Sequence, residues 1–178
     1  MKVRVFTSAL ILLLTLISCN SEPSLQKYFV EHNEKKDFIA IDVSSNILNL
    51  DKTNLTAEQN EAIKSFDKMN ILAFKATDKN QAEFETERTK VNAILKDPKY
   101  QQLMKVGSGK DGASVSYVGT DENIEEFVIF ANRKENGFAV VRVLGKNMNP
   151  NNIMTLMSVI QKSNINMEQL KPLQQLVK

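Results

Sequence analysis

The apolar residues of this chain recur mainly at helical spacing before the glycine-rich segment 107–112 and at strand spacing after it. The clearest helical repeat comes first, with Leu25, Tyr28, Phe29 and His32 at i, i+3, i+4 and i+7. Ser24 precedes this repeat and belongs to the residue types that cap helix N-termini. The pattern predicts an amphipathic helix that carries these four residues on one face.

Two further helices are predicted from their boundary signals. Residues 56–59 (TAEQ) fit a capping box, and apolar residues on one side of a helix follow it. The next helix begins near Asn80 and ends or kinks at Asp97–Pro98, because proline disfavours the helical conformation of the residue before it. We also expect a last helical turn over 100–104 and a short helical turn over 44–50.

Five segments are predicted as strands, two between helices and three after position 112. The segments are DFIAIDV, NILAFKA, ASVSYV, IEEFVIFA and GFAVVRVLG. The last two are apolar on both faces, which suits central strands. Asn136-Gly137 lies between them and is a hairpin signal.

Two helices with Met and Leu stripes, NPNNIMTLMSVIQK and NMEQLKPLQQLV, close the chain. The predicted order is α-β-α-β-α-β-β-β-α. A strand meander after helix-separated strands predicts an α+β fold, with a mainly antiparallel sheet of about five strands packed against several helices on one side. Residues 24–178 are expected to form a single domain.

The first twenty residues, MKVRVFTSALILLLTLISCN, have the layout of a secretory signal. Lys2 and Arg4 make it positive at its start, and an apolar run of 12 residues follows over 6–17. That run is too short to span about 30 Å of hydrocarbon, which takes about 20 helical residues. We therefore expect a cleaved leader over 1–18 rather than a membrane-spanning helix.

The leader ends at the only cysteine of the chain, Cys19. Residues 16–19 (LISC) resemble the bacterial lipobox, in which the cysteine thiolate takes up diacylglycerol and becomes the first residue after cleavage. Two acyl chains hold a protein stably on a bilayer. We predict lipidation at Cys19, a short linker over 19–23 and a location in the cell envelope, with the periplasmic side of the outer membrane favoured. A buried cysteine in a helix is the alternative and fits the charge pattern less well.

Charge excludes one class of partner. The chain has 23 basic and 21 acidic residues, and residues 1–18 hold Lys2 and Arg4 but no acid, so 21 basic and 21 acidic residues remain from Cys19 onward. Nucleic-acid binding depends on a basic surface that neutralises phosphates. We therefore expect no nucleic-acid partner, and with Cys19 modified we predict no cofactor and no metal site.

Two motifs that could indicate catalysis have simpler interpretations. The segment 107–112 (GSGKDG) lacks the four-residue glycine spacing of a phosphate-binding P-loop, and Asp111 rather than Ser or Thr follows Lys110. We interpret it as a turn. His32 is the only histidine of the chain, and we interpret it as a surface or boundary residue rather than a general base.

The charged residues inside apolar strands leave two alternatives open. Asp42 and Arg142 would each be costly to bury without a partner. They could form an ion pair on the sheet, with Glu126 as a further member, or a polar functional site on an exposed face. We favour the ion pair because no nucleophile and base accompany them. Glu125 and Glu126 point to opposite faces of a strand, so they cannot share a glycosidase-type site.

Two weaker signals complete the candidate chemistry. The methionines Met148, Met154, Met157 and Met167 could form an adaptable binding surface, although core packing explains the same spacing and is favoured. Residues 54–56 (NLT) match a eukaryotic glycosylation sequon, which we treat as coincidental behind a bacterial lipobox.

Four segments behind the lipobox-like leader, FIAIDVSSNIL, KYQQLMKV, IEEFVIFA and GFAVVRVLGKNM, resemble the domain-of-unknown-function family numbered 4252. That family occurs in small envelope lipoproteins of Bacteroidota. The resemblance implies an α+β envelope lipoprotein and brings no catalytic residues; only Cys19 is matched residue by residue. It also implies, for some relatives, an association with extracytoplasmic sigma-factor systems.

The sequence thus predicts a non-enzymatic binding or adaptor domain, anchored by lipid at Cys19, whose partners are the membrane and another envelope protein. The alternative is an accessory lipoprotein of a sigma-factor or envelope-stress system. A small hydrolase with a carboxylate-based site is the third hypothesis.

Overall fold

The computed structural model describes residues 22–45, 55–108 and 111–162. In these residues the helices are α1 (Leu25–His32), α2 (Ala57–Ser65), α3 (Gln81–Ile94) and α4 (Pro150–Lys162). The strands are β1 (Phe38–Ser44), β2 (Phe66–Lys75), β3 (Gln101–Ser108), β4 (Asp111–Thr120), β5 (Asn123–Arg133) and β6 (Gly137–Met148). None of the described helices is long and apolar enough to cross a bilayer.

The strands form one six-stranded sheet in the order β1-β2-β6-β5-β4-β3, with every neighbouring pair antiparallel. The predicted α+β class and mainly antiparallel sheet are confirmed. The expected count of about five strands is one too low, because β3 occupies the segment for which we predicted a last helical turn. Pairing with β4 draws this segment into the sheet, where Met104 and Val106 lie opposite Val115 and Ala113.

Helices cover both faces of the sheet, so the expectation of helices on one side only is wrong. Neighbouring strand residues point to opposite faces. Val128 packs with α1 and α3, whereas the preceding Phe127 packs with Leu156 of α4. We call these the α1/α3 face and the α2/α4 face. The apolar character of β5 and β6 on both sides is the sequence signal of this double cover.

The α1/α3 face holds the larger aromatic cluster. Phe38, Phe74, Phe84 and Phe138 pack with ring centroids 5.1–6.2 Å apart, and Phe74 and Phe84 have no exposed surface. Burying each such side chain contributes roughly 1.5–3 kcal/mol. This cluster packs α3 against β2 and β6, and Phe38 of β1 also contacts Tyr28 and His32 of α1.

The local signals read from the sequence place the helix starts and one hairpin correctly. The Ser24 hydroxyl accepts a hydrogen bond from the Lys27 N–H, and Thr56 and Gln59 form the predicted capping box. The hairpin between β5 and β6 turns at Asn136-Gly137. Gly137 has φ +119°, and a Cβ there would lie 1.9 Å from the Phe74 carbonyl oxygen, so this position requires glycine.

Several predicted features lie outside the described residues or at their limits. These are the leader and Cys19, most of the turn over 44–50, Asn54 of the sequon, residues 109–110, and the last helix within 163–178.

Candidate functional site

Beneath α1 lies a group of ionisable side chains that we call the Glu87 cluster, which consists of the buried Tyr28, His32 and Glu87 and the half-exposed Lys90. Tyr28 and His32 stand one turn apart on the apolar face of α1. Glu87 lies on the buried face of α3, and only 4% of its surface is exposed. The packing of α1 beside α3 on the sheet therefore brings two polar residues together from two apolar helix faces.

The carboxylate of Glu87 faces three side chains, two of which donate hydrogen bonds to it. The Tyr28 hydroxyl donates to its Oε2 at 2.9 Å, and the Lys90 ammonium donates to its Oε1 at 2.8 Å. The Nε2 of His32 lies 3.1 Å from Oε2 without an aligned hydrogen bond. The imidazole also stacks on the Tyr28 ring, with centroids 4.0 Å apart.

The contacts of the His32 ring assign a proton to its Nδ1 atom. The Nδ1 atom lies 2.7 Å from the Tyr28 carbonyl oxygen, which can only accept, so Nδ1 carries a proton. The Nε2 atom faces the Glu87 carboxylate without forming an aligned hydrogen bond. His32 is only 3% exposed, so our prediction of a surface or boundary histidine is wrong.

The same contacts shift the pKa values of two members. Burial opposes the ionisation of Glu87, but the hydrogen bonds from Lys90 and Tyr28 and the charge of His32 outweigh it, so its pKa is lowered. The pKa of Tyr28 is strongly raised, first by burial and then by its hydrogen bond to the Glu87 carboxylate. Glu87 is therefore a carboxylate held ionised by its partners.

A second cluster surrounds the buried Arg142. We call it the Arg142 cluster, and its other members are Gln26, Phe29 and Glu126. The Arg142 guanidinium donates to Glu126 at 2.6 Å and to the Gln26 side-chain oxygen at 2.6 Å, and it lies 5.4 Å from the centre of the Phe29 ring. Arg142 is 5% exposed. The predicted pairing of Arg142 with Glu126 is confirmed.

Asp42 is not part of this ion pair. It is exposed on β1 and accepts a hydrogen bond from Asn70, the β2 residue that lies in register between Asp42 and Arg142. Glu125 is also exposed, next to the bulge in β5. The charged residues singled out in the sequence are therefore brought together only in part.

A different kind of feature lies at one edge of the sheet. We call Leu103, Met104 and Val106 the β3 edge. These side chains are 46%, 55% and 53% exposed, and they make up three of the five large hydrophobic residues that are exposed in the described part of the chain. Edge strands present unpaired backbone N–H and C=O groups along their outer side. The β3 edge therefore combines free backbone groups with exposed apolar side chains.

The β3 edge continues into a groove on each face of the sheet. On the α2/α4 face, a groove of about 510 Å³ lies beside Val106 and extends over Ala113, Ala131 and Ala139, which stand in one register row. On the α1/α3 face, a cleft of about 330 Å³ lies between α3 and the strands. We call it the lysine cleft, since Lys96 and Lys105 line it together with Arg88.

The remaining candidates are spread over the molecule. The glycine-rich segment joins two strands rather than a strand and a helix, which excludes P-loop geometry. Met148 is buried in the core, whereas Met154 is exposed on α4. The described residues contain no group of three or more His, Cys, Asp or Glu side chains arranged to hold a metal ion.

Comparison with known protein families gives one match, to the domain of unknown function DUF4252, over residues 28–156. The chain belongs to the DUF4252 family. The match runs from Tyr28 in α1 to Leu156 in α4, so the DUF4252 region includes the whole sheet, most of both buried clusters and the β3 edge. No curated protein and no solved structure matches the chain significantly.

Proposed function

We propose that this DUF4252 protein is a lipid-anchored binding domain of the bacterial cell envelope that holds an extended segment of another envelope protein along β3. The lipobox-like segment before Cys19 supports the anchor, and the β3 edge supports the binding role. No reaction is assigned to the protein.

The exposure of β3 is the observation that carries the binding role. Large apolar side chains are costly to leave in water, at roughly 25 cal/mol per Å². Three of them stand together on one edge strand instead of being scattered over the surface. Adding a strand from a partner would cover these side chains and pair the outer backbone groups at the same time, as in β-augmentation.

The start of the described chain supports an orientation in which β3 is accessible beside the membrane. Glu22 and Ser24 lie in a groove with Asp97 and Pro98, just before β3 begins. Cys19 is three residues before Glu22, and three extended residues reach at most about 11 Å. A lipid on Cys19 would hold the Gln101 end of β3 near the bilayer and direct the Val106 end away from it.

The two buried clusters support a structural role for the ionisable groups on α1 and α3. Each buried charge is paired, and the Glu87 carboxylate is enclosed by Tyr28, His32 and Lys90. Its pKa is lowered, whereas a general acid at neutral pH needs a raised one. These contacts stabilise the placement of α1 and leave the binding role to the surface.

The anchor is tested by fractionating cells that express the wild-type chain or Cys19→Ser. We expect the wild-type protein in the membrane fraction with a diacylglycerol-modified Cys19 in its mass spectrum, and the variant in the released fraction. Ser18→Thr, which also changes a hydroxyl residue beside the cleavage point, is a milder control that keeps the cysteine. An unmodified amino terminus in the wild-type protein would disprove the anchor.

The binding role is tested by placing a photo-crosslinking amino acid at Leu103 in intact cells, with Asp42 on the opposite edge strand as the matched control. We expect a discrete adduct with an envelope protein from position 103, lost when Met104→Lys and Val106→Lys are introduced together. Equal adducts from both positions, or an adduct that survives these substitutions, would contradict the proposal.

A further inference from the structure

The two faces beside β3 differ in chemistry, and this difference points to the kind of segment that fits there. The inference rests on the proposed function, namely that β3 pairs with an extended segment. Successive side chains of a strand point to opposite faces of the sheet. A segment paired with β3 would therefore present alternate residues to the α2/α4 face and to the α1/α3 face.

The α2/α4 face beside β3 is apolar. Met104 and Val106 are exposed on this side and stand in register with Val115 and Ala113 of β4. The groove over the alanine row continues from Val106. Residues of the segment that point to this face would bury apolar surface against Met104 and Val106, so apolar side chains are favoured at these positions.

The α1/α3 face beside β3 is cationic. Lys105 stands in register with Ser114 and lines the lysine cleft together with Lys96, which follows the end of α3. The described lining of this cleft contains no carboxylate. Arg88 also lines it and is paired with Glu85 at 2.6 Å, so Lys96 and Lys105 provide the positive charge that a ligand would meet.

We infer that β3 selects an extended segment in which acidic residues alternate with apolar ones. The apolar residues would lie over Met104 and Val106, and the acidic residues would face Lys105 and Lys96. Opposite charges across neighbouring strands contribute roughly 0.2–1 kcal/mol each. The contact with Lys105 therefore favours an acidic over a basic segment by about twofold or more, since like charges are also unfavourable, and Lys96 adds to this preference.

The test uses the full purified chain and three fluorescein-labelled eight-residue peptides, which alternate Val with Glu, Val with Gln and Val with Lys. Fluorescence anisotropy gives the affinities, and amide chemical shifts of residues 101–106 locate the binding. We expect the Glu peptide to bind best, the Lys peptide worst, and the preference to weaken at high salt. In the doubly substituted Lys96→Glu/Lys105→Glu chain we expect the order to reverse.

Failure of this inference is distinguishable from failure of the proposed function. If all three peptides bind at β3 with equal affinity and the charge reversal changes nothing, the selection of acidic residues is wrong while strand pairing stands. If no peptide shifts the amides of 101–106 in either chain, pairing along β3 is wrong, and the inference is overturned with it.

Discussion

The space beneath α1 and the outer edge of β3 use side chains in opposite ways. Beneath α1, Glu87 and Arg142 are buried, and each has a partner within the chain, as in Glu87 with Tyr28 and Arg142 with Glu126. Along β3, apolar side chains are exposed beside unpaired backbone. These buried groups could be taken for an active site, but Glu87 and Arg142 already have partners within the chain. The exposed strand is the part whose contacts are incomplete, and it is where a partner would lower the free energy.

The largest effect is expected for the Glu87 cluster. Glu87→Leu removes the carboxylate that the buried Tyr28 hydroxyl and His32 Nε2 face, and leaving a buried polar group without its partner costs about 1–3 kcal/mol for each group. Urea denaturation should show this loss. Glu85→Leu is the matched control, because Glu85 pairs with Arg88 at the same i,i+3 spacing but is partly exposed, and we expect it to cost less than about 1 kcal/mol. Equal losses of unfolding free energy in both variants would show that Glu87 contributes no more than a partly exposed residue such as Glu85.

The Arg142 cluster should give the next largest effect. Arg142→Leu leaves the carboxylate of Glu126 without its partner in a mostly buried site, which we expect to cost about 2–3 kcal/mol of unfolding free energy. Replacing both residues by Leu should cost less than the single change, because no uncompensated charge remains. A double variant that loses the sum of the two single losses would show that these residues act independently.

Tyr28 predicts a pH dependence. Its pKa is raised in the folded chain, so its contribution is complete below the ordinary tyrosine value of about 10 and is lost as pH rises above it, where the unfolded chain ionises. Tyr28→Phe keeps the ring but removes the hydrogen bond to Glu87. We expect this change to lower the unfolding free energy by about 1.5 kcal/mol near neutral pH.

The measurement is the difference in unfolding free energy between the wild-type chain and Tyr28→Phe from pH 7 to 11. We expect the difference to shrink above pH 10. The subtraction removes the contributions of Tyr100 and Tyr117, whose pKa values are also raised and which both chains retain. A difference that stays constant to pH 11 would refute the assignment.

The smallest effect on stability is expected at β3. Met104→Lys combined with Val106→Lys changes side chains that are more than half exposed, so the unfolding free energy should change by no more than about 0.5 kcal/mol. Met154→Lys on α4 is the control, because Met154 is exposed at 73% but lies away from β3. A loss of several kcal/mol in the β3 variant alone would show that this strand is part of the core and would weaken the comparison.

Patterns between residues close together in the sequence were sufficient to predict much of the fold. The buried face of α1 follows from helical spacing, and the cap at Ser24 and the capping box at residues 56–59 follow from side chains within three residues of each other. The pairing of Arg142 with Glu126 was also predictable, since a tight hairpin at Asn136-Gly137 joins their strands and determines the register.

The strand β3 could not be predicted in this way. Its residues 101–106 are exposed, so no alternation between core and solvent marks the segment, and Gln, Leu, Met and Lys favour helix. Pairing with β4 decides its conformation, and this partner is fixed only when the hairpin forms. The functional candidate was therefore missed for the same physical reason that makes it a candidate: neither face of the strand is covered.

The Glu87 cluster was missed because His32 and Glu87 are 55 residues apart in the chain. One signal was present. Glu87 has helical spacing with Phe84, Val91 and Ile94, so it belongs to an apolar helix face, as His32 does on α1. A lone acid and a lone histidine on two such faces indicate a buried pair, since neither could be buried alone.

The bulge at Leu103 has a consequence for crowding. A bulge interrupts the even spacing of strand hydrogen bonds and increases the local twist, so two identical edges no longer match along their length. Molecules tethered to one surface meet their own copies far more often than molecules in bulk solution do. An edge strand that can pair with a segment of another protein, but does not match the same edge of a second copy, would keep such tethered molecules from polymerising through their sheet edges.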